Sequence, residues 1–150
     1  MQRVKSARVE VEGETVGAIE VGLLAYVGFG RGDTEEDRAW VLSKIVGLRV
    51  FEDAAGKMGL SLEDVGGGIL LVSQFTLYGD VRRGRRPSFD DAMPPEDAGP
   101  AYDAMVQAAR GTGLRVETGR FRADMKVHSV NDGPVTLWID SSVRSAPRSG

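Results

Sequence analysis

Cysteine is absent from the 150 residues, and histidine occurs once, at position 128. Disulfide scaffolds, thiolate zinc sites and a cysteine nucleophile are therefore excluded. A Ser-His-Asp triad or an imidazole metal cluster would rest entirely on His128. Long apolar runs are also missing. None approaches the ~18–20 residues of a membrane span, and Met1 leads into Gln2-Arg3-Val4-Lys5 with no apolar signal core behind it. A single soluble domain in a reducing, cytoplasmic setting, with no membrane association, is the expectation. The chain is 41% hydrophobic, and at this length roughly 68–70% of the unfolded surface can be buried without covalent staples. Neither sign of charge dominates: 19 basic and 22 acidic side chains leave a net charge of −3, which argues against indiscriminate coating of nucleic acid.

Val4 to Val11 alternates apolar and polar residues, and a turn at Gly13-Glu14 leads into Val16–Ile19, so the chain is predicted to open with a hairpin. Leu23 to Phe29 reads as a buried strand running into the glycines at 28, 30 and 32. Asp33-Thr34 followed by three acidic residues starts a helix from about Thr34 to Val46, with Gly47 placed for a left-handed cap. Leu48–Glu52 is predicted as a strand, Asp53–Gly59 as a loop, and Ile69–Val72 as a central strand. Polar residues then appear in Ser73-Gln74-Phe75-Thr76-Leu77, at the end of a buried element, where binding sites commonly lie. Tyr78 to Pro94 is a long loop of the kind that is usually functional or disordered. A second helix runs from Pro95 through Arg110. Strands follow at Leu114–Thr118, Ala123–Val130 and Val135–Asp140, the last two joined by a turn at Asn131-Asp132-Gly133-Pro134. The fold class is α/β, a layered arrangement of mostly antiparallel or mixed sheet covered by two main helices. One domain spans 1–140, and the Ser/Arg/Pro/Gly tail at 141–150 is expected to be disordered.

The chemistry-bearing residues are few. Gly28-Phe29-Gly30-Arg31-Gly32 fits neither the dinucleotide nor the phosphate-loop spacing and reads as a plain strand-to-helix loop. His128 has no partner that spacing can name and reads as a surface or pocket-rim residue. Asp90-Asp91 and Glu35-Glu36-Asp37 resemble a loop and a helix cap rather than a ligand set, so no metal is expected. Arg82, Arg83, Arg85 and Arg86 stand within five positions, and arginine outnumbers lysine 15 to 4. A guanidinium fork matches phosphate in two-point fashion, which favours an anion site beside Ser73-Gln74, although charge alone fits a solvated loop equally well. Gly133-Pro134 is either part of a hairpin turn or a bond whose cis form brings main-chain carbonyls close to a ligand.

Four motifs stand in one order: Ser73-Gln74-Phe75-Thr76-Leu77, Gly84-Arg85-Arg86-Pro87-Ser88-Phe89, Thr118-Gly119-Arg120-Phe121 and Asn131-Asp132-Gly133-Pro134-Val135-Thr136. With Arg49–Asp53 and Gly56-Lys57-Met58, they make the chain resemble the D-aminoacyl-tRNA deacylases from about Gln2 to Asp140. Against that pattern the N-terminus is a few residues short, from either a trimmed first strand or a misplaced start codon, and Gly59 replaces an asparagine common there. The resemblance implies a homodimer that needs no metal or cofactor and hydrolyses the ester between a D-amino acid and the 3′-terminal ribose of tRNA, as a proofreading step in translation. It assigns Ser73, Gln74, Phe75 and Thr76 to the catalytic pocket. A cis Gly133-Pro134 would reach from one subunit into the other, steadied by Arg3. Backbone carbonyls near Ala92 and Met93 would hold the substrate's amino group, and Phe89 with the arginines would contact substrate or tRNA. Rejection of L-aminoacyl-tRNA would work by steric exclusion, so glycyl-tRNA would also be hydrolysed. An aminoacyl ester is intrinsically activated, so positioning and oxyanion donors can suffice, with the tRNA 2′-hydroxyl assisting. Thr76 has no obvious base and is read as a pocket residue, with the nucleophile role as the competing version. The alternative reading from another class is a non-catalytic RNA- or nucleotide-binding module.

Overall fold

The computed structural model describes residues 1–148. β1 (Gln2–Val11) and β2 (Glu14–Ile19) form the predicted hairpin. Its two-residue turn places Glu12 and Gly13 at φ 51° and 80°, the pair of left-handed conformations that matches the twist of the flanking strands. In chain order follow β3 (Gly22–Val27), α1 (Glu35–Gly47), the short strands β4 (Phe51–Glu52) and β5 (Met58–Leu60), β6 (Gly68–Ser73), α2 (Pro95–Arg110), β7 (Arg115–Thr118) and β8 (Lys126–Thr136). The main sheet has the order β2-β1-β3-β6-β7, and β8 also pairs with β1.

β3, β6 and β7 run parallel to one another, whereas β1 is antiparallel to β2, β3 and β8. The central pair is covered on both faces, which explains why β3 and β6 are continuous apolar runs rather than alternating ones. One face sends Leu23, Ile69 and Leu71 against Leu42 and Ile45 of α1 and Met105 and Ala109 of α2. The other sends Leu24, Leu70 and Val72 against Val4, Ala7, Val9 and Ile19, so the sheet curls over a second core. A Cβ at Gly22 would lie 2.0 Å from the Gly68 carbonyl oxygen. The two parallel strands therefore begin at a backbone contact that only glycine permits.

Several elements differ from the sequence expectation. The strand predicted over Leu48–Glu52 shortens to β4, and its partner β5 overlaps the end of the segment assigned to a loop. Asp53 drives the reversal, its carboxylate accepting from the N–H groups of Ala55 and Lys57 at 2.9 and 3.0 Å. Gly47 is not left-handed; α1 ends at Leu48 in extended backbone, φ −64° and ψ 135°. The two strands predicted around Asn131–Pro134 are one strand, β8. Its register on β1 passes from Asn131 opposite Val4 to Thr136 opposite Gln2, so residues 132–135 bulge outward instead of reversing. Asn131 spans the bulge, its Oδ1 accepting from Val135 N–H at 2.8 Å and its Nδ2 donating to Thr136 Oγ1 at 3.1 Å. Of the tail, Ser141–Val143 form a 3-10 turn and Arg144 pairs with Asp37; residues 149 and 150 lie outside the described part. No helix among the described residues is long and apolar enough to cross a membrane.

Candidate active site

The chain leaves β6 at Ser73, opposite Val27 of β3. The Gln74 N–H donates to the Val27 carbonyl at 2.8 Å, which anchors the exit to the sheet. A 3-10 turn over Phe75–Tyr78 follows. Gly28 and Gly30 form its seat. A Cβ on Gly28 would lie 3.1 Å from Leu77 Cβ, and one on Gly30 would lie 2.7 Å from the Tyr78 ring. The glycine run that reads as a plain loop is thus a flat bed for the turn, a role visible only once the turn is packed on it.

Within the turn, Gln74 Nε2 donates to Thr76 Oγ1 at 3.0 Å. The hydroxyl therefore faces an amide donor, not a base, which supports the reading of Thr76 as a pocket residue rather than a nucleophile. Phe75 and Thr76 open the turn, and among the described residues their N–H groups have no backbone acceptor. Such unpaired donors at the start of a helical turn are what a developing oxyanion requires. Phe75 is 57% exposed and meets Phe89 edge to face, with ring centroids 5.0 Å apart. Ala92 bridges to Gly30, and Met93 N–H donates to the Phe29 carbonyl at 2.9 Å. Ser73, Gln74, Phe75, Thr76, Phe89, Ala92 and Met93 are therefore gathered around one strand exit.

The arginine segment is more ordered than a long loop suggests. Asp80 and Ser88 exchange two backbone hydrogen bonds of 2.7 and 2.9 Å, closing a narrow loop with Gly84 at φ 65°. Arg82 turns back on Asp80, Nε to Oδ1 at 2.9 Å and Nη2 to Oδ2 at 2.6 Å. Those bonds hold the Asp80 carboxyl down to about 2. The charge of Arg82 is consequently matched locally, whereas Arg83, Arg85 and Arg86 are exposed, with no carboxylate partner among the described residues.

Arg3 is only 7% exposed. Its Nε donates to the Asp132 carbonyl at 2.9 Å and its Nη1 to the Val50 carbonyl at 2.7 Å, tying the start of β1 to the β8 bulge and to the segment before β4. Gly133 (φ 140°) and Pro134 are exposed on that bulge, and the bond between them is cis. Among the described residues no hydrogen bond joins Gly133 or Pro134 to Ser73–Thr76 of the same chain. His128 lies on the outer half of β8, 44% exposed, with Nε2 3.3 Å from Glu10 Oε2. It takes no part in the cluster.

Comparison with known proteins places this arrangement. The family profile described as D-Tyr-tRNA(Tyr) deacylase matches residues 1–140. A D-aminoacyl-tRNA deacylase of Thermotoga petrophila is 58% identical over 142 residues, covering 95% of this chain and 95% of the relative. A protein of the same name from Desulfitobacterium hafniense is 62% identical over 141 residues, covering 94% and 95%. Among solved structures, the c-Myc DNA unwinding element binding protein superposes with a TM-score of 0.85 at 42% identity, covering 91% of this chain and 93% of that one. A structure described as a probable eukaryotic D-amino acid tRNA deacylase shares the fold, with a TM-score of 0.75 at 20% identity. The fold and its relatives define a small mixed α/β protein of the deacylase class. More narrowly, the chain belongs to the D-Tyr-tRNA(Tyr) deacylase family.

Proposed function

We propose that this protein hydrolyses the ester bond of D-aminoacyl-tRNA, releasing a free D-amino acid and tRNA. The observation that carries the reading is kinship over nearly the whole of both chains, at 58% and 62% identity to relatives named for this activity. The geometry supports it. The ester carbonyl sits over the unpaired N–H groups of Phe75 and Thr76, and Gln74 fixes the Thr76 hydroxyl. One oxyanion donor is typically worth ~2.7–4 kcal/mol, and alignment of water adds to it. An already activated ester then needs no strong protein base. The 2′-hydroxyl of the terminal ribose lies beside the scissile bond and assists the attacking water.

Chirality is set by main chain. The protein acts as a homodimer in which Gly133-Pro134 of one protomer enters the site of its partner, and the carbonyls there crowd one direction at the substrate's Cα. Hydrogen fits that direction, and an L side chain does not. Two features support this arrangement: the dipeptide is exposed and finds no site in its own chain, and Arg3 holds the carbonyl just before it. Exposed Val130 and Trp138 give the same region apolar area to cover in a dimer. The backbone around Ala92 and Met93 holds the amino group. Arg83, Arg85 and Arg86 meet acceptor-end phosphates, while Arg82 shapes their loop. Glycyl-tRNA, which has no side chain to exclude, is also a substrate. The reaction uses no metal or cofactor and takes place in the cytoplasm. The test is deacylation of matched D- and L-tyrosyl-tRNA by the purified protein. Turnover of the D form alone is expected; equal turnover of both, or of neither, would refute the reading.

A further inference from the structure

The motif Thr118-Gly119-Arg120-Phe121 takes no part in the site described above, yet it leaves the sheet beside it. β6 and β7 run parallel, and their register ends at Leu71 opposite Thr118, two residues before Ser73. The last bond across runs from the Gly119 N–H to the Leu71 carbonyl, at 3.2 Å. Beyond it, among the described residues, no backbone hydrogen bond joins β6 to the segment after β7. On the opposite side of β6, the Gln74 N–H is pinned to Val27 at 2.8 Å. The strand exit that carries Ser73–Thr76 is thus held as far as Gln74 on its β3 side, but only as far as Leu71 on its β7 side.

A side chain of α2 reinforces that last rung. Tyr102 is 4% exposed, and its hydroxyl donates to the same Leu71 carbonyl at 2.7 Å. Burial pushes the phenol up to about 12, offset in part by the Thr118 hydroxyl and the Gly119 N–H beside it, so the group stays a donor throughout the neutral range. Its ring stacks on that of Phe121, with centroids 6.1 Å apart and planes 23° from parallel. Gly99, three residues earlier on the same face of α2, clears room for this: a Cβ there would lie 3.1 Å from the Phe121 ring. One residue of α2 therefore grips both the end of β6 and the loop after β7. Core packing alone does not call for the hydroxyl. A phenylalanine would keep the ring and its stacking, and the Leu71 carbonyl would still accept from Gly119. We propose that Tyr102 is a positioning residue for the reaction at Ser73–Thr76, its hydroxyl fixing the Leu71 carbonyl and with it the direction in which β6 delivers the Phe75 and Thr76 N–H groups, a role that rests on the deacylase activity proposed above.

The test compares Tyr102→Phe with Val106→Ala. Val106 is buried on the same helix in the same core but makes no bond to β6, so its truncation costs at least as much stability without touching the rung. A misplacement of about 1 Å at a reacting centre can cost ~100-fold in rate. Tyr102→Phe, which loosens one of two bonds on the carbonyl, should lower kcat for D-tyrosyl-tRNA about tenfold while KM stays within about threefold. Val106→Ala should leave kcat within about twofold of the parent. Amide exchange gives a second reading that does not depend on turnover. In Tyr102→Phe the Gln74 and Gly119 amides should exchange ~10-fold faster while Leu24, across the sheet, is unchanged; in Val106→Ala any acceleration should be shared by all three. Equal kcat losses in the two variants, or Gln74 and Gly119 exchanging at the parent's rate in Tyr102→Phe, would overturn the assignment. A parent that deacylates nothing would refute the activity instead, and the exchange rates would still decide whether Tyr102 holds the strand exit.

Discussion

Arg3 is the residue on which the proposed chiral filter depends most directly, and its replacement gives the sharpest test. Arg3→Met keeps most of the buried stem but removes the hydrogen bonds to the Asp132 and Val50 carbonyls. Hydrogen bonds from charged donors contribute about 1.5–3 kcal/mol each, and an orphaned buried carbonyl costs a further fraction of that. Against this stands the relief of removing a guanidinium that is 7% exposed and bonded to carbonyls rather than to a carboxylate. The balance is a loss of about 2–4 kcal/mol, or roughly 5–15 °C in Tm for a chain of this length. Arg3→Lys keeps the charge but cannot reach both carbonyls with one planar fork, so it should fall between. Function should respond more steeply than stability. The Asp132 carbonyl directly precedes Gly133, and a misplacement worth about 1.4 kcal/mol changes discrimination tenfold. The assay is denaturant unfolding alongside deacylation of matched D- and L-tyrosyl-tRNA under conditions where each variant is folded. Arg3→Met should lower the D-over-L ratio at least ~10-fold. A variant as stable as the parent within about 0.5 kcal/mol, with an unchanged ratio, would show that Arg3 does not position the dipeptide.

Thr76→Val removes the hydroxyl that Gln74 Nε2 bonds. A pocket residue predicts activity within about tenfold of the parent, whereas complete loss in a folded dimer would assign Thr76 as nucleophile. Binding of aminoacyl-tRNA should weaken with salt at a slope near −0.7 per phosphate contact; replacing Arg83, Arg85 and Arg86 together by alanine should flatten the slope by about 2, and a slope unaffected by the replacement would leave these arginines as solvated surface. Asp80, bonded by Arg82, and Asp37, bonded first by the Thr34 N–H, are both held down to about 2. Their folded values lie below the unfolded ones, so their contribution is complete above about pH 4 and is lost as pH falls toward 2; Asp37→Asn and Asp80→Asn should reduce the acid slope of an unfolding curve over that window, and an unaltered slope would refute the assignment. Gly30→Ala drives a Cβ into the Tyr78 ring at 2.7 Å and should lower kcat by shifting the turn. Gly32→Ala, at φ 84° with open space around it, should cost about 1 kcal/mol of stability and no activity; equal kinetic effects of the two would mean that the turn does not rest on Gly30.

What the sequence reveals and what it hides divide along physical lines. Local patterns carried far: the hairpin, both helices and the central strand are visible in period and capping alone, because each is decided by contacts within a few residues or by burial of a continuous run. The sequence predicts two strands where β8 is one because Asn-Asp-Gly-Pro has turn chemistry, and only the neighbouring strand β1 turns that segment into a bulge instead of a reversal. The pairing of β4 with β5 was hidden for a similar reason: two and three residues carry no period. At the site, Ser73 to Thr76 stood out as polar residues ending an apolar strand, but the role of Gly28 and Gly30 needs the 3-10 turn in place above them. Arg3 carried no signal of its own in composition or spacing; its burial comes from meeting Asp132 and Val50, 129 and 47 residues away.

Every group gathered near Thr76 is main chain, an amide, a hydroxyl or a phenyl ring, and none of these changes charge near neutral pH. Precision then has to come from where the backbone is held, and the structure holds it at three places: a strand exit pinned at 2.8 Å by Gln74, a glycine bed in which a Cβ at Gly30 would meet the Tyr78 ring at 2.7 Å, and a bulge fixed by Arg3 and spanned by Asn131. A device made of fixed carbonyls and N–H groups discriminates by shape rather than by side-chain chemistry, so it should accept D residues of many kinds with little preference among them. It should also be more sensitive to glycine and arginine substitutions beneath the site than to changes in the exposed side chains around it.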